Sequence, residues 1–230
     1  MLETYIIKID NKLEKDAFDN LMNYISEEKK ERISKFYRFE DAQRSLLGDI
    51  LSRYAICKRT GLKNDRILFR KNEYGKPLLT ESIGIHFNIS HSGHWVVCAI
   101  DDNPVGIDVE EIKSINLKIA KRFFSNEEYE SLKNMSEDDR LKHFFVLWSL
   151  KESYLKAKGK GLNIPLNSFT IKMQNQKINA FTYNGCEHYT FHHSFLDNNT
   201  TLAVCSSDDT ISKKTIWNVA DFYKEIIFTF

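Results

Sequence analysis

The sequence predicts an α+β protein made of two similar, pseudo-twofold-related subdomains, each a small, mainly antiparallel sheet packed with helices. Three observations predict it. The strand-like segments are mostly joined by short turns, as in hairpins, whereas a doubly wound sheet would interleave helices between parallel strands. Helices accompanied by a small group of strands occur twice along the 230 residues. No stretch rich in Pro, Gly or Ser divides the chain, so the halves are expected to pack intimately, with a seam near residue 104. Residues 1–104 are the expected N-terminal half and residues 105–230 the C-terminal half.

Each element has its own signal. Tyr5–Ile9 ("YIIKI") alternates and reads as a strand. Phe18, Leu21, Met22 and Ile25 recur at helical spacing. Ser26 then looks like the N-cap of a new helix, with acids in its first turn. From Asp41 to Tyr54 the stripe Ala42, Leu46, Leu47, Ile50, Leu51, Tyr54 predicts a helix. "RILFRKNEYGKPLL" reads as strand, turn, strand, broken by Gly75 and Pro77. "IHFNIS" and "HWVVCAI" are strands around an "HSG" loop, and "VGIDVE" follows as the next strand. In the second half, Ser125 and Glu128 form a capping-box pattern. A long helix is expected from about Glu137 to Lys158, then a loop, then strands in "FTIKM", "YTFHHSF" and "TLAVCSS".

Composition bounds the function. Hydrophobic content of 42%, charged content of 28% and a net charge of +1 describe an ordinary globular chain, not one built to coat nucleic acid or an anionic membrane. No apolar run approaches the ~20 residues of a membrane span. The start lacks the layout of a signal peptide, so a cytoplasmic protein is expected. Cys57, Cys98, Cys186 and Cys205 are widely spaced, without a CxxC pair, and read as reduced thiols rather than a zinc site.

"VGIDVE" raises the chemical question. Alternation puts Val105, Ile107 and Val109 on one side and Gly106, Asp108 and Glu110 on the other. The stripe of the long helix runs Leu141, Phe145, Trp148, Glu152, Leu155, so a carboxylate stands where an apolar residue is expected. A buried lone carboxylate is costly unless paired, protonated or bound to a metal. The plain alternatives are a solvated sheet face for the first two acids and an i,i+4 pair with Lys156 for the third. If Asp108, Glu110 and Glu152 converge, Mg²⁺ is the fitting cation, with Mn²⁺ as a substitute and open positions for a phosphate ester. Lys29 and Arg32 share a helix face, and Lys151, Lys156, Lys158 and Lys160 surround the end of the long helix; a polyanionic substrate would need such cations. In "NISHSGHW", the hydroxyl of Ser90 and the imidazole of His91 suit phosphate better than a Ser–His nucleophile pair. The "EYGKP" turn reads a base edge or is only a hairpin.

The fragments "FYRFEDAQRSLLGD", "EYGKP", "FNISHSGHWV", "GIDVE", "AKRFFS" and "WSLKESYLKAKGKGL", in this order, resemble the 4′-phosphopantetheinyl transferases, most closely the monomeric surfactin-type (Sfp-type) branch. The resemblance covers nearly the whole chain. It implies transfer of the phosphopantetheine arm of coenzyme A to a serine of an apo carrier protein domain (peptidyl, acyl or aryl), leaving adenosine 3′,5′-bisphosphate. It implies Asp108, Glu110 and Glu152 as metal ligands, and Lys29, Arg32, Ser45 and His91 around the 3′-phosphate. Tyr74, Gly75, Lys76 and Pro77 match the turn around the adenine. Ser90, Lys151 and Lys156 match residues near the pyrophosphate, and roughly Gly159 to Tyr189 matches the side that meets the carrier. Arg32 and Ser45 stand where Lys and Thr are familiar; both keep a donor for phosphate.

For the mechanism, Lys156 is expected to add a fixed cation beside Glu152, and Glu152 or a water on the metal to accept the serine proton. Glu128 is a further candidate base, but the capping box gives it a structural role. A nucleotide pyrophosphate hydrolase and a non-catalytic carrier-binding module are the alternatives in other functional classes.

Overall fold

The computed structural model describes residues 1–174 and 177–230. The chain begins with strand β1 (Leu2–Lys8), helices α1 (Lys15–Met22), α2 (Glu27–Ser34) and α3 (Phe39–Thr60), the short hairpin β2 (Phe69–Lys71) and β3 (Pro77–Leu79), and strands β4 (His86–Ser92) and β5 (Trp95–Asp101). It continues with β6 (Gly106–Glu111), α4 (Ala120–Phe123), α5 (Asn126–Lys133), α6 (Glu137–Lys158), β7 (Thr170–Gln174), β8 (Lys177–Thr182), β9 (Gly185–Cys186), β10 (Thr190–Asp197) and β11 (Thr200–Ser206). Strand β12 (Ile211–Asn218) and helix α7 (Val219–Thr229) end it.

The two halves repeat one plan. Each runs from a strand through two short helices into a 22-residue helix, α3 or α6, that stops at a left-handed glycine, Gly61 or Gly159. A side chain at such a φ is strained, so glycine ends both helices cleanly. The sheet orders β1-β5-β4 and β6-β11-β10 are the same: the first strand pairs with the last, which pairs with the penultimate. The predicted α+β class holds, with small antiparallel sheets in both halves.

The expected 105–230 boundary needs correction. Strand β12 returns to the first sheet and pairs parallel with β1, and Val219, Phe222 and Ile226 of α7 join the first core. The last twenty residues therefore complete the N-terminal half. Those apolar positions are three and four residues apart, one helix face, and it packs on this core.

Three cores follow from strand alternation. Tyr5, Ile7, Val96, Cys98 and Ile100 pack on α3. Ala203 and Cys205 pack with the residues of α6. The opposite faces, Leu2, Ile6, Trp95, Val97 and Ala99 against Val105, Ile107, Val109, Leu202 and Val204, meet as a third core between the halves. Helix α6 has no single apolar stripe; Phe144, Leu147, Leu150, Ser153 and Tyr154 are buried around it, so it is a central helix. The four cysteines are free thiols. Among the described residues, no helix is long and apolar enough to cross a membrane.

Candidate active site

Strand β6 turns Gly106, Asp108 and Glu110 toward α6. A Cβ on Gly106 would lie 1.9 Å from the Ser153 carbonyl oxygen and 2.4 Å from the Ala157 amide nitrogen. The missing side chain lets α6 rest directly on the strand. Glu152 and Lys156, one turn apart on the same helix face, are thereby delivered beside Asp108.

Asp108 is the centre of the group. Lys156 Nζ donates to its Oδ1 at 2.6 Å, and Ser90 Oγ donates to the same oxygen at 3.0 Å. Lys156 also donates to Ser90 Oγ at 2.9 Å and to the Ile107 carbonyl at 3.2 Å. Asp108 is buried, and its second oxygen, Oδ2, has no hydrogen-bond partner among the described residues. Burial lifts its pKa above the usual carboxylate value in spite of Lys156 and Ser90. Glu110 is pushed up to about 7 by burial and then by the charge of Asp108. Glu152 is raised for the same two reasons, in the same order. Both glutamates feel the same aspartate. They are not drawn into a cage, however: among the described residues, no group of three or more His, Cys, Asp or Glu is arranged to hold a metal ion. The cation that touches Asp108 is Lys156.

Strand β4 explains the placing of Ser90 and His91. Its Asn88, Ser90 and Ser92 face β6. Asn88 Oδ1 accepts from the Ile107 amide at 2.9 Å, and Ser92 Oγ accepts from the Glu111 amide at 3.0 Å while donating to Glu110 Oε2 at 3.2 Å. Side chains thus serve as the rungs between these two edge strands. The alternate residues Phe87 and Ile89 pack toward the first core. His91 continues that side, where partial enclosure and then the cations of Arg44, Lys156 and Lys29 hold its pKa below the ordinary value.

The basic group lies on α2 and α3. Lys29 sits 3.9 Å from Asp49, and burial, then the neighbouring charges of Arg32, Lys71 and Arg53, lower its pKa against the pull of that aspartate. Arg32 is exposed and Ser45 is buried on α3, directly after Arg44. Arg44, which the sequence did not single out, acts on His91 by its charge and donates to the Gly93 carbonyl at 3.0 Å. Ser92, part of the expected HSG loop, instead ends β4 in the alternation that points to the acids.

One expected contact is corrected. Lys151 does not reach the acid group. It is fully buried on another face of α6, 2.9 Å from Glu128 Oε2, with Nζ donating to the carbonyls of Leu166 (2.8 Å) and Phe169 (2.6 Å). Neighbours in a helix point about 100° apart, and here Lys151 faces Glu128 while Glu152 lies near Asp108. Lys76 directs its ammonium to the carbonyls of Lys156 (2.6 Å) and Val105 (3.1 Å), and burial lowers its pKa to about 8. Tyr74, Gly75 and Pro77 flank it on the β2–β3 turn, with Tyr74 exposed and Gly75 at φ 86°. Glu128 completes the Ser125 capping box and also accepts from the Ile171 amide at 2.8 Å, so the structural reading of this residue holds.

Comparison with known proteins finds matches over both halves. Residues 104–205 match the 4′-phosphopantetheinyl transferase superfamily, and residues 12–103 match the 4′-phosphopantetheinyl transferase N-terminal family. The 4′-phosphopantetheinyl transferase Sfp of Bacillus subtilis (strain 168) is 46% identical over 172 residues, 75% of this chain and 77% of that protein. The 4′-phosphopantetheinyl transferase gsp of Aneurinibacillus migulanus is 40% identical over 216 residues, 94% of this chain and 90% of that protein. A vertebrate relative, the L-aminoadipate-semialdehyde dehydrogenase-phosphopantetheinyl transferase of Xenopus laevis, is 32% identical over 203 residues, 78% of this chain and 67% of that protein. With both halves matched and relatives this similar over most of its length, the chain belongs to the 4′-phosphopantetheinyl transferase family.

Proposed function

We propose that this enzyme moves the 4′-phosphopantetheine arm of coenzyme A onto a serine of an apo carrier protein domain, with Mg²⁺ as cofactor and adenosine 3′,5′-bisphosphate as second product. The observation that carries the reading is Asp108: a buried carboxylate with one oxygen on Lys156 and the other without a partner among the described residues, flanked by two glutamates of raised pKa. This donor set fits a hard divalent cation, which would relieve the repulsion that burial imposes on the three acids. Asp108, Glu110 and Glu152 would hold Mg²⁺, or Mn²⁺ in its stead. When bound, the ion supplies charge stabilisation to a pyrophosphate.

The chain's own groups supply the rest. Lys156, fixed by Asp108, Ser90 and the Ile107 carbonyl, presents a positioned cation to the leaving phosphate. Lys29, Arg32 and Arg44 would form a positive approach to the 3′-phosphate, with the imidazole of His91 and the hydroxyl of Ser45 as hydrogen-bonding partners. Glu152, on the face of α6 beside Asp108, would accept the serine proton as the hydroxyl attacks phosphorus. The carrier would meet the face built by roughly residues 159–189, of which residues 175 and 176 lie outside the described residues. Both halves of one chain furnish the site, so the working unit is proposed to be a monomer.

The test is mass spectrometry of apo carriers from peptide, polyketide and fatty-acid synthases after incubation with coenzyme A and Mg²⁺. The carrier serine is expected to gain the phosphopantetheine arm, and Glu152→Gln to lose transfer by a hundredfold or more, on the order of a removed general base. Near-normal turnover of Glu152→Gln would sink the assignment, and cleavage of coenzyme A by water without transfer would favour a hydrolase. Binding without either reaction would favour a non-catalytic module. Mg²⁺ alone is expected to raise Tm, and Asp108→Asn to remove that increase, because a ligand that binds only the folded state stabilises it. An equal rise in both proteins would move the ion elsewhere.

A further inference from the structure

We infer that Asn72 is a positioning residue: it folds the Glu73–Pro77 turn and ties it to the last turn of α6, so that the nucleotide-side turn sets where Lys156 stands. The inference rests on the reading of that turn as the adenine side of coenzyme A. Asn72 Oδ1 accepts from the amides of Tyr74 and Lys76, both at 2.9 Å. Its backbone closes the same turn, donating to the Lys76 carbonyl and accepting from the Gly75 amide, both at 3.0 Å. Its Nδ2 then crosses the seam and donates to the Gly159 carbonyl at 2.7 Å. Two amides on one side and a carbonyl on the other fix the orientation of the side-chain amide, since a flip would set donors against donors and oxygen against oxygen.

The tie lands on a sensitive place. Gly159 is the left-handed cap of α6, and the carbonyls of a helix end have no partner within the helix. Asn72 satisfies one of them, and Lys76, which Asn72 positions, satisfies the carbonyl of Lys156. A Cβ on Gly159 would approach Lys76 Cδ at 3.2 Å and Asn72 Nδ2 at 3.5 Å, so the cap and the turn are packed against each other. The turn from the first half therefore holds the backbone of the residue whose ammonium touches Asp108.

Two variants separate the functions of the side chain. Asn72→Asp keeps an acceptor for both turn amides but has no donor for Gly159. Asn72→Ala loses both. Steady-state kinetics and hydrogen–deuterium exchange of the free enzyme are the readouts. For Asn72→Asp the KM for coenzyme A is expected to stay within about threefold of wild type while kcat falls ten- to a hundredfold, the order of cost of a small misplacement. Exchange is expected to accelerate in the last turn of α6 and not across the sheets. For Asn72→Ala, KM is expected to rise as well. Wild-type kcat and exchange in Asn72→Asp would overturn the inference, as would exchange accelerated evenly over the whole chain, the mark of general destabilisation. If the wild-type enzyme itself transfers nothing, the functional reading fails, while local exchange still decides whether the tie exists.

Discussion

Gly106→Ala is expected to cost both stability and turnover, and it separates packing from chemistry because no reactive atom is removed. The three atoms nearest the new methyl would all be backbone: the Ser153 carbonyl oxygen at 1.9 Å, the Ala157 amide nitrogen at 2.4 Å and the Lys156 carbonyl carbon at 3.0 Å. No side chain can swing aside, so α6 must withdraw from β6. Overpacking of a core costs about 1–3 kcal/mol, and a clash with helix backbone belongs at or above the upper end. The same movement carries Glu152 and Lys156 away from Asp108, opening the 2.6 Å Lys156–Asp108 contact. Displacement by about 1 Å is enough for roughly a hundredfold loss in rate. Gly48→Ala is the control. Its Cβ would meet Ile89 Cδ1 at 3.6 Å and Val96 Cγ1 at 3.8 Å, ordinary contacts, and within α3 alanine is favoured by about 1 kcal/mol over glycine. Urea melts and transfer rates should therefore move for Gly106→Ala and not fall for Gly48→Ala. Wild-type turnover in Gly106→Ala would mean that the helix does not need this seat.

Much of this site was legible because its signals are local. The capping box of Ser125 and Glu128 and the span of the long helix, Glu137–Lys158, follow from spacing alone. So does the common face of Asp108 and Glu110. The glycine two residues before Asp108 had a meaning that spacing cannot supply, since only the approach of α6 shows why a Cβ is forbidden there. The interrupted stripe pointed to Glu152, although α6 proved to be buried around nearly its whole circumference. The assignment of Lys151 to the same site set the 100° step between helical neighbours aside, and the structure turns it inward to Glu128. The pairing of β12 with β1 was not legible at all, because nothing in either segment specifies a partner about two hundred residues away. Asn72 was hidden for a related reason: its turn role is local, but its contact with Gly159 crosses the seam.

Glu128→Gln is expected to destabilise the fold strongly while leaving the acid group around Asp108 untouched. Lys151 and Glu128 are 0% and 2% exposed in their side chains, 2.9 Å apart. Glutamine keeps one acceptor, for the Ser125 amide and Lys151 or for the Ile171 amide, but no counter-charge: the Lys151 ammonium is left in the interior with the carbonyls of Leu166 and Phe169 and the face of Phe169, 4.0 Å away. Breaking a buried ion pair from one side costs about 3–5 kcal/mol. The pH dependence identifies the cause. Burial already lowers the pKa of Lys151 to about 8 with Glu128 beside it, and loss of the carboxylate lowers it further. Between the folded and unfolded pKa values the unfolded chain binds the extra proton, so stability rises with pH in that window. For wild type the Lys151 contribution begins to rise only near pH 8, whereas in Glu128→Gln it should rise through the neutral range. Urea melts from about pH 6 to about pH 9 would read this difference. Replacing both partners, as Glu128→Gln with Lys151→Met, should recover part of the loss, because no charge is then left buried. A double variant as unstable as the sum of the singles would mean that the two residues stabilise the fold independently. Transfer per folded molecule is the companion measurement: if retained in Glu128→Gln, the residue is a cap and a counter-ion. If turnover falls as far as in Glu152→Gln at full folding, Glu128 belongs to the chemistry and the base must be reassigned.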